Sequence, residues 1–112
     1  MNQGLIPRRY AKALYKVATE RGVAERMYEL MNKLSATFDA DNGLRSAVDN
    51  PFVPVADKTS LLITAAGATD ADTTYVDFLK LLVENRRVDI IESIARSYAD
   101  LYRKEGNIRR VE

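Results

Sequence analysis

The stretch Thr73-Thr74-Tyr75-Val76-Asp77-Phe78-Leu79-Lys80-Leu81-Leu82-Val83-Glu84-Asn85 decides the fold. Asp77, Lys80 and Glu84 recur at the spacing of helical turns and form one narrow polar strip. The rest, Tyr75, Val76, Phe78, Leu79, Leu81, Leu82 and Val83, wraps around more than half the circumference. A helix apolar nearly all round must be covered on two sides. Two readings follow: this helix sits at the centre of a helical bundle, or the bundle covers one side and leaves the other for a partner.

Downstream, Val88, Ile91, Ile94, Ala95, Tyr98, Leu101 and Tyr102 form a stripe opposite Asp89, Glu92, Arg96, Asp100 and Arg103, which predicts a sixth helix. Acids in its first turn and Arg103 and Lys104 in its last match the helix dipole, and Gly106 is expected to stop it. Upstream, Val55 to Ala66 reads as a fourth helix, with Lys58 outward, Leu61, Leu62 and Ala65 inward, and Gly67 as its stop. Thr74 with Asp77 makes a loose capping box at the head of the fifth. Pro51 and Pro54 bracket an extended connector, Asn50-Pro51 ends a brief helical turn over 44–48, and 39–43 is turn chemistry. A second helix carries Val23, Met27, Leu30, Met31, Leu34 and Phe38 on one stripe, with Glu25, Arg26, Glu29 and Lys33 off it. The first places Ile6, Tyr10, Ala13, Leu14 and Val17 on one face against Arg9, Lys12 and Lys16, with Pro7 in its first turn and Gly22 as its stop. So short a link makes the first two an antiparallel pair. The expected fold is all-α, a six-helix bundle over residues 1–105. Residues 107–112 alternate apolar and polar like the start of a strand or linker, with no partner strand, and 106–112 are expected to start a linker to a further domain.

A chain of 112 residues fits one domain with a real core. It has no cysteine and no histidine, which removes disulfides, thiolate metal sites, cysteine nucleophiles and the usual base of a serine nucleophile. A non-catalytic protein with no cofactor and no metal is expected. No apolar run is long enough to cross a bilayer, and Met1-Asn2-Gln3-Gly4 lacks a secretory lead, so a soluble protein without direct membrane insertion is expected. The net charge of +1 hides a lopsided layout, in which Arg8, Arg9, Lys12 and Lys16 precede any acid and 39–77 is mostly acidic. With Arg86 and Arg87, those cations admit an RNA-binding reading, but the near-zero net charge favours a solvated basic face and no nucleic acid.

The first helix is also broadly apolar, because Ala11, Tyr15 and Ala18 extend its arc. If it lies beside the fifth, small Ala13 between Tyr10 and Leu81 leaves a trough for an amphipathic helix from elsewhere.

Three motifs then carry a family resemblance: Arg9-Tyr10-Ala11-Lys12-Ala13-Leu14, Asn50-Pro51-Phe52-Val53-Pro54 with Lys58 and Leu61-Leu62 after it, and Phe78-Leu79-Lys80-Leu81-Leu82-Val83-Glu84-Asn85-Arg86-Arg87. Their order, spacing and helical setting cover nearly the whole chain. The sequence resembles the delta subunit of bacterial F-type ATP synthase, whose mitochondrial relative is the oligomycin-sensitivity-conferring protein. The resemblance implies an N-terminal bundle that grips the N-terminal helix of an alpha subunit in a groove between helices 1 and 5, at the top of the catalytic head. It carries the groove onto Tyr10, Ala13, Phe78, Leu81 and Asn85, with Leu14, Val17 and Leu82 as further candidates. It also implies a peripheral stator on the cytoplasmic face of the cell membrane, and a smaller second domain after the sixth helix that engages the b-type stalk subunit. The alternative is a small helical RNA-binding domain of the NusB antitermination type, whose RNA-contacting pattern finds no match here.

Overall fold

The residues that end the helices show why the chain turns where it does. Helix α1 (Leu5–Glu20) stops at Gly22, whose φ of 74° lets the Gly22 and Val23 amides donate back to the Thr19 and Ala18 carbonyls. Helix α4 (Val55–Ala66) stops the same way at Gly67, with the amides of Gly67 and Ala68 on Thr64 and Ile63. Helix α5 (Thr73–Glu84) repeats the motif with Arg86, a side-chain-bearing residue held at φ 57°, as the amides of Arg86 and Arg87 reach Val83 and Leu82. Helix α2 (Ala24–Ala40) is followed almost directly by α3 (Asn42–Asp49), because the Asp41 carboxylate accepts the Gly43 amide at 2.8 Å and caps the new helix. The turn expected over 39–43 is therefore the single residue Asp41. A 3-10 turn (Val88–Ile90) leads into α6 (Ile91–Val111).

The computed structural model describes residues 4–111, with side chains through Glu105. Among them there are six α-helices and no strand, as expected from the sequence. No helix there is long and apolar enough to cross a membrane. Helix α6 runs through Gly106 to Val111, so Gly106 does not stop it and the backbone of 107–111 is helical rather than strand-like. One glycine costs a helix only about 1 kcal/mol, less than neighbouring turns can supply. The apolar alternation noted over 107–112 concerns side chains outside the described residues.

Helix α6 is the centre of the bundle. It packs most extensively against α1 and α2, while α5 packs against α4 and the 3-10 turn. The reading that puts the broadly apolar fifth helix at the centre is thus overturned. Ile91, Ile94, Ala95, Tyr98 and Ala99 of α6 are buried, and the core continues through Met27, Leu30, Met31, Leu34 and Phe38 of α2. Tyrosine hydroxyls tie the layers together at 2.8 Å: Tyr98 donates to the Ala24 carbonyl and Tyr75 to that of Leu62. Burial pushes both phenols far above their ordinary range, so they stay donors.

Two inward faces differ from expectation. In α1 the buried residues are Pro7, Ala11, Leu14 and Ala18, whereas Ala13 and Val17 point outward and Tyr10 is half-buried. Helix separation depends on side-chain size, so small Ala11 and Ala18 allow a close approach to α6 that the larger stripe would not. In α4, Leu62, Ala65 and Ala66 are buried but Leu61 is 40% exposed. It borders a hollow of about 240 Å³ shared with Leu44 and Thr37.

Leu79 is fully buried, so Leu79→Ala is expected to cost about 2–5 kcal/mol in urea unfolding, against under about 1 kcal/mol for exposed Leu81→Ala. Arg86→Gly is expected to raise stability by about 0.5–1 kcal/mol, since glycine holds a positive φ without a Cβ clash.

Candidate protein-binding groove

Helices α1 and α5 run antiparallel and touch mainly at two ends. At one end the Asn85 amide donates to the Tyr10 hydroxyl at 3.1 Å, and the Tyr10 ring stands edge-on to Phe78 at 6.4 Å. At the other, Arg21 donates to Thr74 Oγ1 at 3.1 Å and lies 3.6 Å from the Asp77 carboxylate. Between these ends lies a trough of about 160 Å³. Ala13, Leu14, Val17 and Arg21 line it from α1, and Thr74, Asp77, Phe78 and Leu81 from α5.

The floor and the walls of this trough have different origins. Leu14 and Phe78 are buried and belong to the core, yet their edges form the floor. Val17 (36% exposed) and Leu81 (42% exposed) are the walls, and Ala13 between them offers only a methyl group. A lone exposed Leu or Val is ordinary in a protein surface. Two of them facing one apolar trough, with only Ala13 between, make a surface that gains by being covered. A larger hollow of about 410 Å³ lies between α1 and α6, but Arg8, Lys12, Lys104 and Asp100 line it, so it offers little for an apolar ligand. Among the described residues no group of carboxylates is placed to hold a metal ion.

Of the eight residues named from sequence, seven border this region. Ala13, Leu14, Val17, Phe78 and Leu81 line the trough, while Tyr10 and Asn85 close one end. Leu82 does not: it is fully buried under α5, a helical step of about 100° away from Leu81, and it is corrected to the core. Sequence reasoning missed Arg21, Thr74 and Asp77. Thr74 and Asp77 do not form a capping box, because Thr74 accepts from Arg21 and no side chain caps α5. Their position three residues apart at the head of the helix was visible; their partner across the trough was not.

The height of α5 is set from outside the trough. Arg26 of α2 grips Asp72, just ahead of α5, with two bonds of 2.9 and 3.0 Å, and Asp72 also accepts the Thr69 amide at 2.8 Å. The Asp72 side chain is only 8% exposed. The Arg26 guanidinium holds its carboxyl below the usual aspartate range, burial opposing.

A family model described as ATP synthase delta (OSCP) subunit matches residues 6–112. The chain is 42% identical over 109 residues to ATP synthase subunit delta of Bacteroides thetaiotaomicron, an alignment that covers 96% of this chain and 59% of that one. It is 40% identical to the subunit delta of Parabacteroides distasonis, over 99% of this chain and 61% of the relative. With that of Bacillus thuringiensis it shares 29% over 96% and 59%. The chain thus spans about three fifths of the length of the relatives it matches.

Because the folded-state pKa of Asp72 is depressed, its contribution is whole above the unfolded value of about 3.9 and disappears as pH falls through the lower folded value. Glu92, gripped by Arg45 and Arg96, behaves alike. Asp72→Asn is expected to lower the melting temperature at pH 7 and to flatten, without abolishing, the further loss below pH ~4. Equal differences from the parent at pH 7 and pH ~2.5 would remove the ion pair from this account.

Proposed function

We propose, from the premise that this chain belongs to the ATP synthase delta (OSCP) subunit family, that its bundle is the adaptor that takes the N-terminal helix of an alpha subunit into the trough between α1 and α5. Family membership is consistent with a role in the peripheral stalk of the enzyme, which is a membrane-associated complex. The observation that carries the finer reading is the trough itself: an apolar strip from Ala13 and Val17 to Leu81, left uncovered by the described side chains. A helix lying there would bring about two turns of apolar residues against it, since Ala13 to Arg21 spans roughly 12 Å at 1.5 Å per residue.

On this reading the bundle is a static grip. Torque from a turning central stalk would drag the catalytic head round unless an outer stalk held it, so the adaptor has to bind and keep its shape. Catalysis and nucleotide binding would belong to the head, with no cofactor or metal on this chain. Contact with the b-type stalk subunit would belong to a second domain of the kind the resemblance implies. Burying the exposed parts of Val17 and Leu81 would contribute about 1–3 kcal/mol together, so the partner's own anchors must supply most of the affinity.

Ala13→Glu places a charge on the trough's axis, where it would lose hydration without a partner. It is expected to abolish binding of an alpha-subunit N-terminal peptide in calorimetric titration while the circular dichroism stays helical. Unchanged affinity would move the docking site to another surface.

A further inference from the structure

An apolar trough by itself does not tell the two ends of a helix apart. Turning an amphipathic helix end for end keeps its apolar stripe on the floor and exchanges its two flanks. The flanks are read by whatever charges stand on the walls. Placed at 100° per residue, the residues beside Ala13 and Val17 on the solvent side of α1 are Arg9, Lys16 and, in the last turn, Glu20. Beside Thr74 and Leu81 on α5 they are Asp77 and Glu84, with Lys80 further round. All six are exposed. Arg21, just past α1, reaches across the trough to Thr74 and Asp77 and so belongs to neither wall, and Asp77 stays open to solvent although Arg21 lies 3.6 Å away.

We propose that these oppositely charged walls, basic on α1 and acidic on α5, hold a docked helix in one direction and select a partner with acids along one flank of its apolar stripe and bases along the other. This rests on the reading of the trough as a helix-binding groove and adds the chemistry of its occupant. Both helices carry their trough residues on the same rotational side of their core residues and run antiparallel, so α5 lies to the right of α1 when α1 runs upward, seen from solvent. In a right-handed helix parallel to α1, the residue after each inward anchor then faces α1 and the residue before it faces α5. Acids after the anchors fix the parallel direction; bases after the anchors fix the antiparallel one. Exposed charges contribute little singly, but several of one sign along a wall act together on the choice between two otherwise equal poses.

The chain has no cysteine, so Thr73→Cys gives a single thiol at the end of the trough near Arg21 and Thr74. The probes are two designed peptides of about 20 residues with the same leucine stripe. One carries Glu after and Lys before each anchor, the other the reverse, and each is made with a cysteine at either its N-terminus or its C-terminus, activated as the thiopyridyl mixed disulfide so that the bundle's thiolate displaces thiopyridone. The first peptide is expected to form the disulfide through its C-terminal cysteine and the second through its N-terminal one. The preference should be about tenfold in rate at ~50 mM salt, falling toward equality at ~0.5 M. In the bundle carrying Arg9→Glu, Lys16→Glu, Asp77→Lys and Glu84→Lys the two preferences should exchange. Both peptides linking through the same end, or each through both ends equally, while Ala13→Glu still blocks them, would overturn the charge reading and leave the groove standing. Binding that is absent, or indifferent to Ala13→Glu, would overturn both.

Discussion

The open trough follows from one packing choice, the close approach of α1 to α6. That contact uses the arc of α1 carrying Pro7, Ala11, Leu14 and Ala18. Side chains about 100° round a helix point elsewhere, so Ala13 and Val17 cannot reach the same core and Tyr10 meets only its edge, at Phe78. They would need a second neighbour, and α5 is committed to α4 and the 3-10 turn. The trough is what remains between two helices that each answer to another partner. Closing it by moving α1 toward α5 would separate Ala11 and Ala18 from α6, and dispersion contact falls off within an ångström of separation.

Much of this was legible in the sequence because it is local. The bounds of α4 were read as found, since Pro54 and Gly67 act on their own neighbourhoods. The stripe of α2 was read correctly from Met27 to Phe38, because a helix with one apolar side has one way to face a core. The α1 face was read about 100° too far round for the opposite reason. Ile6, Tyr10, Ala13 and Val17 are as apolar as Pro7, Ala11 and Ala18, and hydrophobicity does not say which arc faces inward when both exist. Size decided it, and size matters only once the neighbour is known. The same ambiguity misplaced Leu61 and Leu82, in opposite senses. The pairing of helices 1 and 5 as trough walls was nevertheless within reach, because both carry more apolar surface than one neighbour can cover.

Contacts between distant charged groups were not legible. Arg26 lies on the solvent side of its helix by periodicity, yet it clamps Asp72, 46 residues away. Asp72 is one of several polar residues between α4 and α5 that could each serve as a helix cap. The structure uses it instead to fasten the α4–α5 connection to α2, which sets where α5 begins and hence where Thr74, Asp77 and Leu81 fall along the trough. Arg86 belongs with this group. A positive φ at a non-glycine residue costs of the order of 1 kcal/mol, and nothing in its immediate sequence announces it.

A surface with apolar walls has to resist closing on itself, because each exposed Val or Leu gains by meeting its neighbour. Here the two ends are bridged by polar contacts of fixed length, Asn85 to Tyr10 and Arg21 to Thr74, rather than by interlocking apolar side chains. Hydrogen bonds set a separation, whereas apolar contacts only favour a smaller one. The Tyr10 ring, edge-on to Phe78, also acts as a spacer at its end. With the far side of α1 seated on α6, the trough is held open by the fold and not by its contents. A groove built in this way has little to rearrange when it is filled, which suits a contact whose task is to stay still under load.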